Sequence, residues 1–508
     1  MRGWSIGYVA ALISSCAALP LSSCAGSGGS GAEAGTGGTG ASSGAGSASG
    51  GVAGAAAFGG AADGGSPSDG GRSATSGGRA TNGGASARGG SSSGGGSARG
   101  GGTSGGGVTG GGTSATGGAP SGGAGGDGGV LVAQWNDAPG QCPSGAVRAD
   151  IRTVAEMQSA SRGESNQNAT CFFVHDGTYA QSGSTLPLYI KRGGTPGAPV
   201  VWVGESRDGV IVKGRATFEV GADHVLLSNM TFDISALTQS GAYNTITVLA
   251  NDIVMSHLTL TGDCAHGSRG GHIEVPGPTQ THVIIDSCII EKFGHCSADG
   301  SLDHGVYLSG GNDIQVINNI VRENSSRGIQ LYSHYEDTSQ TLTNVLIERN
   351  RIESNGHGDY QDGIVIDGNK DAGVDGTIDT VVIRNNVFWH NRYSGVRFVG
   401  NAVKGVQISN NTFVENGVAS TSKSRSELNL DGGTPSFSAT RNIFVPARAV
   451  INSCLDSGGI SDNVVFPASG SPACVTSSVE ADPDFVDAAN GDFHPRNPTV
   501  ARYGSYAP

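Results

Sequence analysis

The sequence predicts an all-β solenoid of short parallel strands, and three observations predict it. From about residue 200 a unit of the form V-x-I-x-N-N-x-F, a turn and G-I-x-L recurs along the chain. Within each unit apolar and polar residues alternate with period two, which makes each short run a strand with one buried face. Successive units are 21 to 36 residues apart. That is too short for strand–helix–strand crossovers and enough for three short strands per turn of a stack.

Aligned units give columns. Asn319, Asn350, Asn386, Asn411, Asn442 and Asn463 form one. An amide at a tight bend can bond backbone groups and the next amide along the stack, so this column reads as structural. Two residues on lies an apolar column of Phe232, Leu260, Ile290, Val321, Ile352, Phe388, Phe413 and Phe444. Glycine-led strands follow: "GVYL" at 305, "GIQL" at 328, "GIVI" at 363, "GVRF" at 395 and "ELNL" at 427.

The 508 residues, with 88 Gly and net charge −13, divide into unlike regions. Residues 1–24 hold an early Arg2, an apolar run and "LSSC" ending at Cys24, which resembles a bacterial lipoprotein signal with lipid on that thiol. "ISSC" at Cys16 and an ordinary secretory signal are the alternatives. Residues 25–129 are nearly all Gly, Ser, Ala and Thr, a composition that cannot bury a core. They are expected to be a disordered tether, with a root-mean-square reach of about 55–60 Å for a Gly-rich coil. Residues 130–508 are the expected folded domain. The whole is expected at the bacterial cell envelope, at the outer membrane or cell surface, touching the membrane only through lipid. A monomer is expected, and the acidic balance argues against a nucleic-acid partner.

Export suggests oxidised cysteines. Cys142 with Cys171, Cys264 with Cys296 and Cys454 with Cys474 are the local pairings, leaving Cys288, which aligns with the asparagine column, as the free thiol.

These columns resemble the right-handed parallel β-helix superfamily of pectate lyases, chondroitinase-like lyases and alginate epimerases. The resemblance covers roughly residues 130 to 508. "ADIRTVAEMQSA" at 149–160, with Ile151, Val154 and Ala155 on one face, fits its short N-terminal capping helix, and "DPDFVDAANGDFHP" at 482–495 its closing segment. The implied fold is a right-handed parallel β-helix of about ten coils, at ~4.8 Å per coil.

Alternation places three rows on the outside of the glycine-led strands. One runs Glu274, Tyr307, Gln330, Val365, Arg397, Asn429; the next Ser309, Tyr332, Asp367, Val399, Asp431; the third His304, Arg327, Asp362, Ser394. Long connections flank these strands, and long loops on a regular scaffold commonly carry binding sites. They are expected to wall a groove centred on His304, Arg327, Tyr332, Asp362 and Asp367. A groove of that kind suits an extended polysaccharide. Removing the C5 proton of a uronic acid needs a base, a cation for the carboxylate and an acid on the leaving oxygen. His304 is the candidate base, and Arg327 the clamp. Tyr307 or Tyr332 is the acid, and Asp362 orients the histidine or arginine. Glu274, Asp303, Gln330, Asp367 and Arg397 are candidate substrate-binding residues.

Alginate C5-epimerases carry an Asp-Pro-His element with an arginine one rung on. The matching residues are Asp303, His304 and Arg327, without the proline and without an acid after the histidine. The departure moves the expectation from epimerisation to lyase-type β-elimination. "GHG" at 356–358 is similar to polygalacturonase hydrolases, whose partner motifs are absent. Asp367, Asp371 and Asp375 are candidate oxygen ligands for Ca²⁺, with Lys370 a further candidate base in the manner of calcium-assisted lyases. Two plainer readings stand beside these: a solvated ion network at a turn, and a binding or adhesive rod without catalysis.

Overall fold

A computed structural model describes residues 140–235, 244–263, 272–294, 303–335, 338–357, 361–368, 376–418, 425–433, 435–454 and 458–507. The signal with Cys24, the linker, residues 130–139, Cys264, Cys296, Lys370, Asp371 and Asp375 lie outside them. Among the described residues, thirteen, eleven and nine strands form three parallel sheets. The chain visits them in rotation, so each strand pairs with its equivalent one coil on. The fold is a right-handed parallel β-helix.

The long sheet runs from Arg148–Ile151 to Val475–Thr476. Its inward residues, among them Val225, Leu227, Ile314, Val316, Val345, Ile347, Val381 and Ile383, are fully buried in one continuous core. The eleven-stranded sheet carries the apolar column, with Phe388 over Phe413 and Phe413 over Phe444 stacked at 4.5 and 4.9 Å between centroids. Burying such aromatics stabilises each coil by roughly 2–3 kcal/mol per ring.

The corner between these sheets holds the asparagine column. The Cys288 N–H donates to Asn319 Oδ1 at 2.8 Å, and each asparagine in turn donates its backbone N–H to the next amide oxygen, down to Asn463. Each preceding residue is left-handed, as at Asn318 (φ 56°), Arg349 (54°) and Asn385 (57°). That backbone costs about 1 kcal/mol per residue, which the buried amide bonds offset. Cys288 occupies the ladder's upper end, and burial pushes its thiol up to about 12.

A second ladder turns the next corner. Asn324, Asn355, Asn391 and Asn416 pass hydrogen bonds of 2.9–3.0 Å from amide to amide. The last donates to the carboxylate of Glu427 at 2.6 Å. This ladder explains the glycine that opens each strand. A Cβ on Gly363 would lie 2.6 Å from the Gly395 carbonyl oxygen and 3.0 Å from Asn391 Nδ2. Glu427 stands where the glycine column ends and its carboxylate completes the ladder.

The capping helix, α1 (Val154–Ser161), is shorter than the sequence implied. Arg148–Ile151 is a strand that pairs with Cys171–Val174, so Ile151 enters the core from the sheet. Thr153 and Glu156 form a reciprocal capping box that fixes the start at Val154. The face that covers the first coil is Met157 and Ala160, whereas Ala155 is exposed. At the other end Phe485–Asp487 and Asp492–Pro495 form an antiparallel pair, with Phe493 fully buried against Val387 and Val414. Cys142–Cys171 and Cys454–Cys474 are disulfides.

Candidate active site on the glycine-led sheet

The nine-stranded sheet runs from Leu188–Ile190 to Leu428–Asp431. Its register brings the expected rows together. Glu274, Tyr307, Gln330, Val365, Arg397 and Asn429 are successive partners, as are Tyr332, Asp367, Val399 and Asp431. In the third row the Gly305, Gly328 and Gly363 N–H groups donate at 2.9–3.0 Å to the carbonyls of Arg327, Asp362 and Ser394. Residues 304 and 327, far apart in sequence, are therefore neighbours on adjacent rungs.

Arg327 Nη1 lies 3.5 Å from His304 Nε2 and donates to Gln330 Oε1 at 2.7 Å. A guanidinium can only donate, so the tautomer that accepts at this contact is the neutral one with an unprotonated Nε2; Nδ1 is buried without a hydrogen-bond partner among the described residues. Burial first, then the Arg327 charge, holds this imidazole well below its ordinary value. Burial also lowers Arg327, with the Asp362 charge opposing. The Tyr307 ring centroid is 5.5 Å from that of His304, and Tyr332 is 6.0 Å beyond Tyr307.

Asp362 turns away from His304. Ser394 Oγ donates to its Oδ1, and Oδ2 lies 3.6 Å from Arg397 Nη1. The cause is rung order: Arg327 sits between Asp362 and His304. Burial raises the Asp362 carboxyl, against the pull of Arg397, Ser394 and Arg327. Arg397 also pairs with Asp431 and is raised above its usual value by these two carboxylates, which outweigh its burial.

The site is not an open wall. His304 is 1% exposed, Asp362 0% and Arg327 8%, while Tyr332 and Asp367 are half-buried at its edge. Asp303 is buried on the stack, its carbonyl accepting from the Ser326 N–H at 3.0 Å. Glu274, also buried, accepts from Asn244 Nδ2. Among the described residues no group of three His, Cys, Asp or Glu side chains gathers as metal ligands.

Sequence reasoning missed three neighbours of the site. His272 is fully buried, stacks on Phe293 at 3.1 Å between centroids, and is held well below its ordinary value chiefly by burial. The segment "GGHIEV" carries the signal, since it aligns His272 with the glycine column. Tyr393 and Arg425 lie further down the stack; the run before "ELNL" would have aligned them. The second asparagine ladder was legible too, five residues after the first.

Residues 207–434 match the family model described as right handed beta helix region. No curated protein sequence matches the chain. Three solved structures are similar to this chain at low identity. A pectate lyase, Pel9A, is 17% identical over 68% of this chain and 84% of its own, with TM-score 0.41. The A-module of the mannuronan C-5 epimerase AlgE6 of Azotobacter vinelandii is 15% identical over 66% and 98%, with TM-score 0.42. PfbA, a surface adhesin of Streptococcus pneumoniae, is 13% identical over 61% and 80%, with TM-score 0.41. Likeness at this level says nothing of chemistry. The sheets, their register and the match at 207–434 together make the described part of this chain a right-handed parallel β-helix.

Proposed function

We propose that the protein binds an acidic, uronic-acid-containing polysaccharide along the glycine-led sheet and cleaves it by β-elimination. The observation that carries the reading is the neutral His304 beside the cationic Arg327 on the next rung, 3.5 Å apart. A base and a carboxylate clamp at that separation are what removal of a proton next to a carboxylate requires. In this reading the uronate carboxylate draws Arg327 Nη1 away from His304 Nε2, the freed Nε2 takes the C5 proton, and the C4–O4 bond breaks as the C4–C5 double bond forms. Tyr307 or Tyr332 supplies the proton to the departing oxygen. Arg327 neutralises the uronate carboxylate as charge develops. Gln330 holds Arg327, Asp362 holds Arg397, and Glu274, Asp303 and Asp367 bind sugar hydroxyls.

A binding rod without catalysis is the second reading, and the burial of His304, Arg327 and Asp362 favours it. Ultraviolet absorbance of unsaturated product separates the two when the chain meets pectate, alginate and glycosaminoglycans. Under the lyase reading, His304→Ala and Arg327→Ala each abolish product while circular dichroism is unchanged. Turnover surviving both changes ends the assignment, and binding without product on every polyuronate leaves the rod. The same proposal holds the domain at the cell envelope through lipid on Cys24 and the linker at 25–129; Cys24→Ala then releases the protein from membranes.

A further inference from the structure

We infer that Tyr393 and Arg425 form a second carboxylate-recognition subsite, displaced along the stack from His304 and Arg327. It takes a uronate several sugars from the reacting bond. The inference rests on the uronan reading for the identity of its ligand and on the following geometry for its existence.

The guanidinium carbon of Arg425 lies 3.7 Å from the centroid of the Tyr393 ring, and both residues are half-buried. Arg397 approaches the same ring at 5.5 Å, but Asp362 and Asp431 already neutralise it. Arg392, next to Tyr393, spends its Nη1 on the His357 carbonyl at 2.7 Å. Arg425 differs from both. No carboxylate among the described residues pairs with it, and its Nε is buried with no hydrogen-bond partner there. A guanidinium held over the face of an aromatic ring gives that ring none of its N–H donors as conventional hydrogen bonds, and its fork matches a carboxylate bidentately. The tyrosine holds the guanidinium in place and the arginine supplies the charge.

Position selects the kind of ligand. Arg425 immediately precedes Ser426, which continues the row of Arg327, Asp362 and Ser394 on the fourth rung. Arg425 is therefore three rungs from Arg327, about 14 Å at ~4.8 Å per rung. A polyuronate lying along the stack carries a carboxylate on every residue. One chain can reach both cations only if it is long enough to span them.

The test titrates the full chain by calorimetry with disaccharides and hexasaccharides of galacturonate and of mannuronate. The variants are Arg425→Ala, Arg425→Lys and, as a control of equal charge elsewhere, Arg441→Ala. The wild-type chain is expected to bind a hexasaccharide about tenfold tighter than the disaccharide. Arg425→Ala brings the hexasaccharide down to the disaccharide's affinity, Arg425→Lys restores part of the gap, and Arg441→Ala leaves it intact. Equal hexasaccharide binding by wild type and Arg425→Ala overturns the subsite, as does an equal loss in Arg441→Ala. Suppose no polyuronate yields unsaturated product yet Arg425→Ala still weakens the hexasaccharide: the lyase reading falls and the subsite stands. If product forms while Arg425→Ala alters neither hexasaccharide affinity nor KM, the subsite falls and the lyase reading stands. If no oligouronide binds the wild-type chain, both fall.

Discussion

Replacing Asn386 by alanine removes an inner member of the first amide ladder. Its Nδ2 donates to the carbonyls of Ile347 at 2.8 Å and Arg384 at 2.9 Å, and to Asn411 Oδ1 at 2.9 Å. Its Oδ1 accepts from Asn350 N at 2.9 Å and Asn350 Nδ2 at 3.0 Å. After truncation Asn350 Nδ2 keeps the Val316 carbonyl at 2.7 Å, but the buried Asn350 N–H loses this acceptor. Stranding that donor costs about 1–3 kcal/mol, and each well-made bond lost adds about 1 kcal/mol. The expected loss is therefore about 4 kcal/mol, read as a lower midpoint in guanidinium unfolding followed by circular dichroism, with an unchanged slope. Asn386→Asp destabilises more at neutral pH, because it points a buried carboxylate at two carbonyl oxygens. Gln407→Ala, on an exposed position of the long sheet, serves as control and stays within about 0.5 kcal/mol. A loss below about 1 kcal/mol for Asn386→Ala would refute the claim that the ladder holds the corner.

Stability should fall as pH drops below 6.5, because unfolded His272 and His304 take up protons there while the folded chain, with both lowered, does not. Each contributes up to ~1.4 kcal/mol per pH unit between 6.5 and its folded value, and His272→Phe removes its share of the slope in pH-dependent melts. Gly363→Ala drives a methyl to within 2.6 Å of a carbonyl oxygen, so unfolding measurements should show a loss above about 2 kcal/mol. Replacing Cys142 and Cys171 by serine opens a loop with a sequence separation of 29 residues. Chain-entropy reasoning puts the cost at about 3–4 kcal/mol, and melts in the presence of reductant should reproduce it.

The fold was legible because its signals are local and repeated. Period-two alternation marks the strands, and a one-residue error in register would have turned every core residue outward. Asn319 to Asn463 fixed that register. The helix boundary was less legible, since "ADIRTVAEMQSA" suits either state until Ile151 pairs in the sheet and Thr153 caps. The row of His304, Arg327 and Asp362 could be read from stacking alone. Side-chain direction could not: that Asp362 faces Arg397 and Ser394 follows from which rung carries which charge. Burial of the dyad was also invisible, because alternation says which side a residue faces and nothing of what lies over it.

The two disulfides sit at opposite ends of the described stack, and their position matters more than their number. Stripping an end coil from a one-dimensional array severs a single inter-coil contact, whereas melting an inner coil severs two. Unravelling therefore starts most cheaply at a terminus, and here each terminus is sutured. With both bonds closed, the easiest route to disassembly is denied and the interior must fail first. Under reducing conditions the same chain would peel coil by coil, so the redox state of its surroundings sets how it comes apart.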